Sequence, residues 1–227
     1  MRSVPKPSNL VRPQAIIFDW DSTLVDNWGT IRSALNATLV NFGHKPWTMM
    51  QVRKNAKGSA RDTFPNIFGV YWKQALELFY QNFQDLHLKK IQPLPDAEAL
   101  LEIIFKHNTP VSIVSNKTGD FLRAEVSHLG WEKFFHKTIG ASDATYDKPS
   151  VHPVHLALSE TGILVNENIW FIGDSIIDLK CAHTAGCLPL LISGGDITQR
   201  ELLMWPPKYT FSSCLAVKQM FLACQKN

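Results

Sequence analysis

The chain has 227 residues, a formal net charge of +3, and 45% hydrophobic and 19% charged residues, which is typical of globular proteins and excludes a disordered chain. The charge is too small to indicate nucleic-acid binding, and no apolar stretch approaches the roughly 18 residues of a membrane-spanning helix. Four cysteines without Cys-x-x-Cys spacing favour buried thiols in a reducing cytosol, so we expect a soluble, cytoplasmic protein that binds neither nucleic acid nor membrane.

The first predicted element is a short buried strand over 15–18, whose four residues are all apolar. Helical periodicity follows over 27–42, where Asp26 and Asn27 are predicted to cap the helix. The segment up to residue 88 also has a helical pattern, and no strand pattern occurs between residues 24 and 90. Beyond Pro93 and Pro95, strands and helices alternate. The predicted strands are 111–115, 137–140, 169–173, 188–192 and 209–211, and the predicted helices are 96–107, 120–129, 153–161, one ending at 185, and 213–224.

This alternation predicts an α/β fold with a parallel sheet covered by helices on both faces. The helical segment interrupts the pattern between the first and second strands. We therefore predict a discontinuous α/β core formed by residues 14–23 and 92–227, and an inserted all-helical cap formed by residues 24–91. Residues 1–13 are predicted to be a flexible tail.

Polar residues follow the predicted strands where each strand ends. Asp19 and Asp21 come directly after the first strand, and in extended chain such a pair points to one side. Two carboxylates held that close do not ionise independently, and a nearby cation usually stabilises their ionised forms. The other polar segments are Ser115-Asn116-Lys117-Thr118, Asp147-Lys148-Pro149-Ser150 and Gly173-Asp174-Ser175-Ile176-Ile177-Asp178. Because the carboxyl ends of parallel strands share one edge of a sheet, the four segments are expected to converge there.

The segments FDWDSTLVDN, VSNK, DKPS and GDSIIDLK resemble the four motifs of the haloacid dehalogenase (HAD) superfamily of phosphohydrolases. The resemblance covers residues 14–211 and implies a HAD-like, Rossmannoid three-layer core with an inserted C1 cap. The nearest subgroup is similar to phosphoglycolate phosphatases. One departure is Ser22, where the pattern usually has glycine, and it is expected to limit the backbone freedom of the turn.

The resemblance implies a Mg²⁺-dependent phosphatase that forms an aspartyl-phosphate on Asp19, with Asp21 as general acid and base. Lys148 would balance the negative charge. The remaining implied roles are binding of the phosphoryl group by Thr23, Ser115 and Asn116, and binding of Mg²⁺ by Asp19, the Asp21 carbonyl and Asp174, with Asp178 acting through water or by orienting Lys148.

Several alternatives stay open. Phosphosugar mutases of this superfamily keep the second aspartate but carry a histidine about twelve residues beyond the nucleophile, where this chain has Ile31. A response-regulator receiver domain also uses an aspartate, a hydroxyl, a lysine and Mg²⁺. It is shorter, however, and carries its acid pair at adjacent positions. An inactive binding protein is a third alternative.

The cap contains a basic cluster of Arg53, Lys54, Lys57 and Arg61 around a break in the helical pattern at Gly58. The cluster is either a solvated face or a loop that contacts a small anionic phosphomonoester. Our hypothesis is that one or more of these residues, with Arg53, Lys57 and Arg61 as candidates, binds a second anionic group such as a carboxylate. The cap aromatics, including Trp28 and Phe64, favour a packing role. The sequence does not indicate an oligomeric state.

Overall fold

The computed structural model describes residues 11–56 and 58–224. Its strands are β1 (Ala15–Phe18), β2 (Val25–Asp26), β3 (Gln92–Pro93), β4 (Val111–Thr118), β5 (Lys137–Ala141), β6 (Ile169–Gly173), β7 (Leu188–Ile192) and β8 (Tyr209–Phe211). Its helices are α1 (Trp28–Asn41), α2 (Met49–Asn55), α3 (Ala60–Phe68), α4 (Trp72–Gln84), α5 (His87–Lys90), α6 (Ala97–Lys106), α7 (Gly119–His128), α8 (His152–Leu158), α9 (Ile176–Ala185), α10 (Gln199–Met204) and α11 (Cys214–Cys224). Short 3₁₀ helices cover Gly69–Tyr71 and Glu132–Phe134.

Six strands form one parallel sheet in the order β5-β4-β1-β6-β7-β8. Strand β1 lies inside this sheet, and all four of its residues are buried. A strand covered on both faces has to be apolar throughout, which explains the unbroken run at 15–18. The structure therefore confirms the predicted α/β fold with a parallel sheet.

Helices cover both faces of the sheet. Ile16 and Phe18 point to the face covered by α6, α7 and α11, and Ala15 and Ile17 point to the face covered by α8 and α9. These three layers are the arrangement in which a parallel sheet buries its two apolar faces. The sheet is thereby a rigid base whose strand ends can hold polar side chains in fixed positions.

Helices α1 to α4 have an apolar cluster of their own, built on Leu35, Leu39, Val52, Phe64, Phe68 and Ala75. Leu24, Val25 and Ile91, which the sequence assigned to the cap, pack instead with the core cluster of the sheet. The boundaries at 23/24 and 91/92 stay a prediction.

Two features correct the predicted elements. Strand β2 lies in the segment where no strand pattern was found, and it pairs antiparallel with β3, joining the two connections of the helical segment. Two residues are too few to produce a periodic pattern. Helix α10 was also missed, although Thr198 and Glu201 form a capping box at its start, which is a readable signal.

Some predictions fall on residues outside the described ranges. Lys57 is one, and most of the predicted tail, 1–10, is another. Among the described helices, none combines the length and the apolar character needed to cross a membrane. All four cysteines are free and buried.

Candidate active site

The four polar segments meet at one cavity at the carboxyl edge of the sheet. Asp19, Asp21, Ser115, Lys148 and Asp174 all line this cavity, whose volume is about 170 Å³. The Asp19 backbone is fixed beside β6, because its N–H donates to the carbonyl of Ile172 at 2.8 Å. Residues from β1, β4, β6 and the loop after β5 therefore face the same space.

Lys148 links two buried carboxylates. Its Nζ donates to Asp19 Oδ1 and to Asp178 Oδ1, both at 2.7 Å. Burial alone would lower the pKa of Lys148, but the two carboxylates outweigh burial and raise it, so the ammonium stays charged. Lys148 thus carries a permanent positive charge beside Asp19.

Asp178 contacts both Lys148 and Ser175. Its Oδ2 accepts hydrogen bonds from the Ser175 N–H at 3.0 Å and the Ser175 hydroxyl at 2.6 Å. Gly173 is required here, since a Cβ at that position would lie 2.3 Å from Asp178 Cγ. Both carboxylate oxygens of Asp178 therefore have hydrogen-bond partners, Lys148 for Oδ1 and Ser175 for Oδ2.

The donor set fits a divalent cation. Oxygen atoms of Asp19, Asp174 and Asp178 all lie within 4.8 Å of one another, and Lys148 is the ammonium that contacts two of these three carboxylates. Burial raises the pKa of Asp19 to about 7 and that of Asp174 well above its usual range, with Lys148 opposing the rise in both. A further cation would keep both groups ionised, and oxygen-only ligands suit Mg²⁺.

Asp21 contacts a lysine that the sequence analysis left without a role. Lys117 Nζ donates to Asp21 Oδ1 at 2.8 Å and also lines the cavity. Burial raises the pKa of Asp21, and the Lys117 charge opposes this. The signal for Lys117 was its place in the polar end of β4, because Ser115, Asn116, Lys117 and Thr118 all line the cavity.

The predicted phosphoryl-binding residues differ in their access to the cavity. Ser115 and Asn116 line it. Asn116 donates to the carbonyl of Lys148 at 3.1 Å, and its own Oδ1 is buried without a partner. Thr23 is fully buried, and its hydroxyl donates to Asp19 Oδ2 at 3.3 Å. Thr23 therefore contacts Asp19 and, unlike Ser115 and Asn116, is not among the described residues that line the cavity.

The basic residues of the helical segment also differ in their access to the cavity. Arg53 lines the cavity, its Nε is buried without a partner, and its guanidinium carbon lies 5.5 Å from the centroid of the Trp28 ring. Arg61 instead forms a bidentate pair with Asp147, with both distances 2.6 Å. Arg61 is therefore occupied in joining α3 to the core, whereas Arg53 lines the cavity.

Ser22 adopts the conformation that the turn requires, at φ 65°. Its Oγ accepts a hydrogen bond from Trp28 Nε1, and Trp28 lies beneath Arg53. A left-handed conformation costs a non-glycine residue roughly 1–2 kcal/mol. The hydroxyl contact to the Trp28 indole is an interaction that glycine could not make.

Aromatic side chains also line the cavity. Those lining it are Trp28, Phe64, Phe79, Tyr80, Phe83 and Phe121. Phe64 also belongs to the apolar cluster of the helical segment, so it packs and lines the cavity at once. Tyr80 reaches the core, since its hydroxyl lies 2.8 Å from the Thr118 hydroxyl that donates to it.

The site combines an aspartate pair, a buried lysine and a second acidic strand end at the edge of a parallel sheet. This combination defines a class of hydrolase sites. Residues 16–191 match the sequence model of the haloacid dehalogenase-like hydrolases. The chain therefore belongs to that family.

Relatives and solved structures agree with this assignment. The chain is 28% identical over 183 residues to a phosphoglycolate phosphatase of Photorhabdus laumondii, covering 77% of each chain. It is 28% identical over 193 residues to a phosphoglycolate phosphatase of Neisseria meningitidis, covering 80% of this chain and 81% of that one.

Two solved structures share the fold. A HAD-superfamily hydrolase from Ehrlichia chaffeensis is 28% identical with a TM-score of 0.65, over 95% of this chain and 99% of that one. A haloacid dehalogenase-like family hydrolase from Streptococcus pneumoniae is 24% identical with a TM-score of 0.80, over 91% and 97%.

Proposed function

We propose that this protein is a Mg²⁺-dependent phosphatase that hydrolyses a small anionic phosphomonoester through an aspartyl-phosphate on Asp19. The observation that carries the proposal is the position of Asp19, which contacts Lys148 and lies within 4.8 Å of an Asp174 oxygen, with Asp21 in the same cavity. The phosphoglycolate phosphatase relatives support the same class of reaction. The free, buried cysteines fit a cytoplasmic location.

The first step transfers the phosphoryl group to the protein. An Asp19 carboxylate oxygen attacks phosphorus, the bond from phosphorus to the ester oxygen breaks, and Asp21 gives its proton to the departing oxygen. Mg²⁺ bound by Asp19, Asp174 and the Asp21 carbonyl would neutralise charge on the phosphoryl oxygens. Lys148 offsets the remaining negative charge, and Ser115 and Asn116 bind the phosphoryl oxygens.

The second step returns Asp19 to its starting state. Asp21, now ionised, takes a proton from a water molecule that attacks phosphorus. The bond from phosphorus to the Asp19 oxygen breaks, which releases inorganic phosphate and the free carboxylate. Both steps use one acid–base group, so Asp21 has to reach the ester oxygen and the attacking water in turn.

Ile31 favours hydrolysis over the phosphosugar mutase alternative. It lines the cavity at the position where a mutase carries a histidine. An isoleucine cannot exchange a proton with a sugar hydroxyl, so transfer to a second hydroxyl lacks that group.

We expect the purified protein to release phosphate from para-nitrophenyl phosphate with Mg²⁺, and EDTA to stop the release reversibly. The ionised Asp19 needs a cation balance that Lys148 alone does not supply. Phosphate release measured with and without each reagent checks this. Release that is unaffected by EDTA would contradict the Mg²⁺ site, and no release with Mg²⁺ would favour a binding or phospho-acceptor protein.

Arg53 is our candidate for binding a second anionic group of the substrate. A cavity of about 170 Å³ is smaller than the 300–1,000 Å³ usual for drug-sized ligands, which favours a small ester such as phosphoglycolate. Arg53 lines the cavity, and a guanidinium group suits a carboxylate. Lys57 stays a candidate outside the described residues, and Arg61 would first have to leave Asp147.

Replacing Arg53 with glutamine is expected to raise KM for phosphoglycolate about tenfold, since a hydrogen bond to a charged group contributes about 1.5 kcal/mol or more. KM for ethyl phosphate, which has the same two carbons and no carboxylate, is expected to change less than about twofold. Lys54→Gln is the matched control, because it removes the same charge from an exposed neighbour on α2. Equal changes for both esters in Arg53→Gln would contradict the assignment.

A further inference from the structure

A buried carboxylate outside the four polar segments gathers four hydrogen-bond donors. Glu125, on α7, is fully buried, and it accepts from Trp20 Nε1 at 2.7 Å and Asn27 Nδ2 at 2.7 Å. It also accepts from His87 Nδ1 at 3.0 Å and Lys117 Nζ at 2.6 Å. Burial would raise the pKa of Glu125, but Lys117, His87 and Trp20 outweigh burial and lower it, which favours the ionised form.

Two of the four donors, Asn27 and His87, come from the connections of the helical segment. Asn27 immediately precedes α1, where that segment begins, and His87 opens α5, where it ends. Trp20 lies between Asp19 and Asp21. One carboxylate on the core therefore holds both connections and the loop that carries the two catalytic aspartates. Asn27, predicted to cap α1, gives its side chain to Glu125 instead, and Asp26 Oδ1 accepts from the Trp28 N–H.

Lys117 extends this set of contacts to Asp21. Its Nζ is shared between Glu125 at 2.6 Å and Asp21 at 2.8 Å, and only 5% of its side chain is exposed. The ammonium also lies 5.5 Å from the centroid of the Phe83 ring on α4. An ammonium with two fixed carboxylate partners and an aromatic ring beside it has little freedom, so it holds the Asp21 carboxyl in one orientation.

Stability alone is a poor explanation for this arrangement. Buried ion pairs pay a large desolvation cost, and apolar residues of similar volume often stabilise a protein as well or better. A better attested role of buried ion pairs is to fix one geometry. The geometry fixed here is that of Asp21.

We propose that Glu125 and Lys117 are positioning residues for Asp21, and that they make proton delivery to the leaving group depend on the docking of both connections of the helical segment. The proposal rests on the proposed function, because it concerns the Asp21 proton in the first step. Glu125 acts through Lys117, and neither residue needs to touch the ester oxygen.

The proposal predicts a dependence on the leaving group. A para-nitrophenolate leaves without help, whereas the alkoxide of benzyl phosphate needs the proton from Asp21. General acid catalysis contributes about 10²–10⁴-fold, and a misplaced acid loses part of this. The ratio of kcat/KM for para-nitrophenyl phosphate to kcat/KM for benzyl phosphate therefore measures how well Asp21 is placed. This ratio is independent of the fraction of folded enzyme.

The test compares this ratio in five variants with the wild type, all with Mg²⁺. Asp21→Asn, which removes the acid itself, is the reference and is expected to raise the ratio. We expect Lys117→Met and Glu125→Gln to raise it about tenfold or more. We expect His87→Phe to raise it less. That variant keeps a ring against Phe83 and Phe121, 5.0 Å away in each case, and loses the hydrogen bond to Glu125. Lys137→Met, which breaks the surface pair with Glu160, is the control and is expected to leave the ratio unchanged.

The outcomes separate the two proposals. If Asp21→Asn raises the ratio while Lys117→Met and Glu125→Gln lower both rates by one factor, the positioning role is overturned and the phosphatase proposal stands. If Lys117→Met and Glu125→Gln raise the ratio while His87→Phe leaves it unchanged, the dependence on the connections is overturned. If the wild type hydrolyses neither ester, the proposed function itself fails.

Discussion

Replacing Asp19 with asparagine is expected to abolish turnover, with kcat falling by a factor of about 10⁴ or more, as for other lost nucleophiles. The amide keeps the size of the side chain but removes the attacking oxygen anion and one candidate Mg²⁺ ligand. It also leaves Lys148 with a single carboxylate partner, Asp178. Steady-state phosphate release with Mg²⁺ measures the loss.

The matched control is Asp85→Asn, which makes the same chemical change at an exposed position just after α4. Its rate is expected to equal that of the wild type. Circular dichroism checks that both variants are folded. Near-normal, Mg²⁺-dependent phosphate release by Asp19→Asn would overturn the assignment of the nucleophile.

Replacing Lys148 with methionine is expected to lower kcat about 10²–10³-fold, the usual cost of losing one group that stabilises transition-state charge. It is also expected to destabilise the metal-free protein by about 3–5 kcal/mol, because Asp19 and Asp178 lose the ammonium that they share. Methionine fills most of the space of the lysine stem, so lost charge is the main change. Urea unfolding in EDTA measures the stability.

Lys137→Met is the control for lysine removal at a surface pair and is expected to cost no more than about 1 kcal/mol. Added Mg²⁺ is expected to stabilise Lys148→Met more than the wild type, since the cation replaces the missing charge. Unchanged stability and unchanged kcat in Lys148→Met would show that the ammonium does not balance these carboxylates.

Sequence patterns were sufficient for the sheet and for the edge where the cavity lies. The residues at 15–18 are apolar because β1 is covered on both faces. Asp19 and Asp21 follow this strand, and both line the cavity. The same reasoning applies to Gly173 and Asp174 after β6. A change from apolar to polar at the end of each strand is a local signal that a sequence displays directly.

Contacts between distant segments gave no such signal. Glu125 is one of two acids in α7, and its four partners lie between 8 and 105 positions away in the chain. The pairing of Arg61 with Asp147 spans 86 positions. Such contacts depend on how the helical segment docks on the core, and the spacing of residues within either part does not encode that docking.

The most direct test of an aspartyl-phosphate on Asp19 uses the Asp21→Asn variant with para-nitrophenyl phosphate and Mg²⁺. The first step proceeds because this leaving group needs no proton, whereas the second step stalls because no base activates water. We expect a burst of one para-nitrophenolate per protein molecule, and one phosphoryl group on Asp19 in the peptide mass spectrum. No burst, or a phosphoryl group on a residue other than Asp19, would contradict the mechanism.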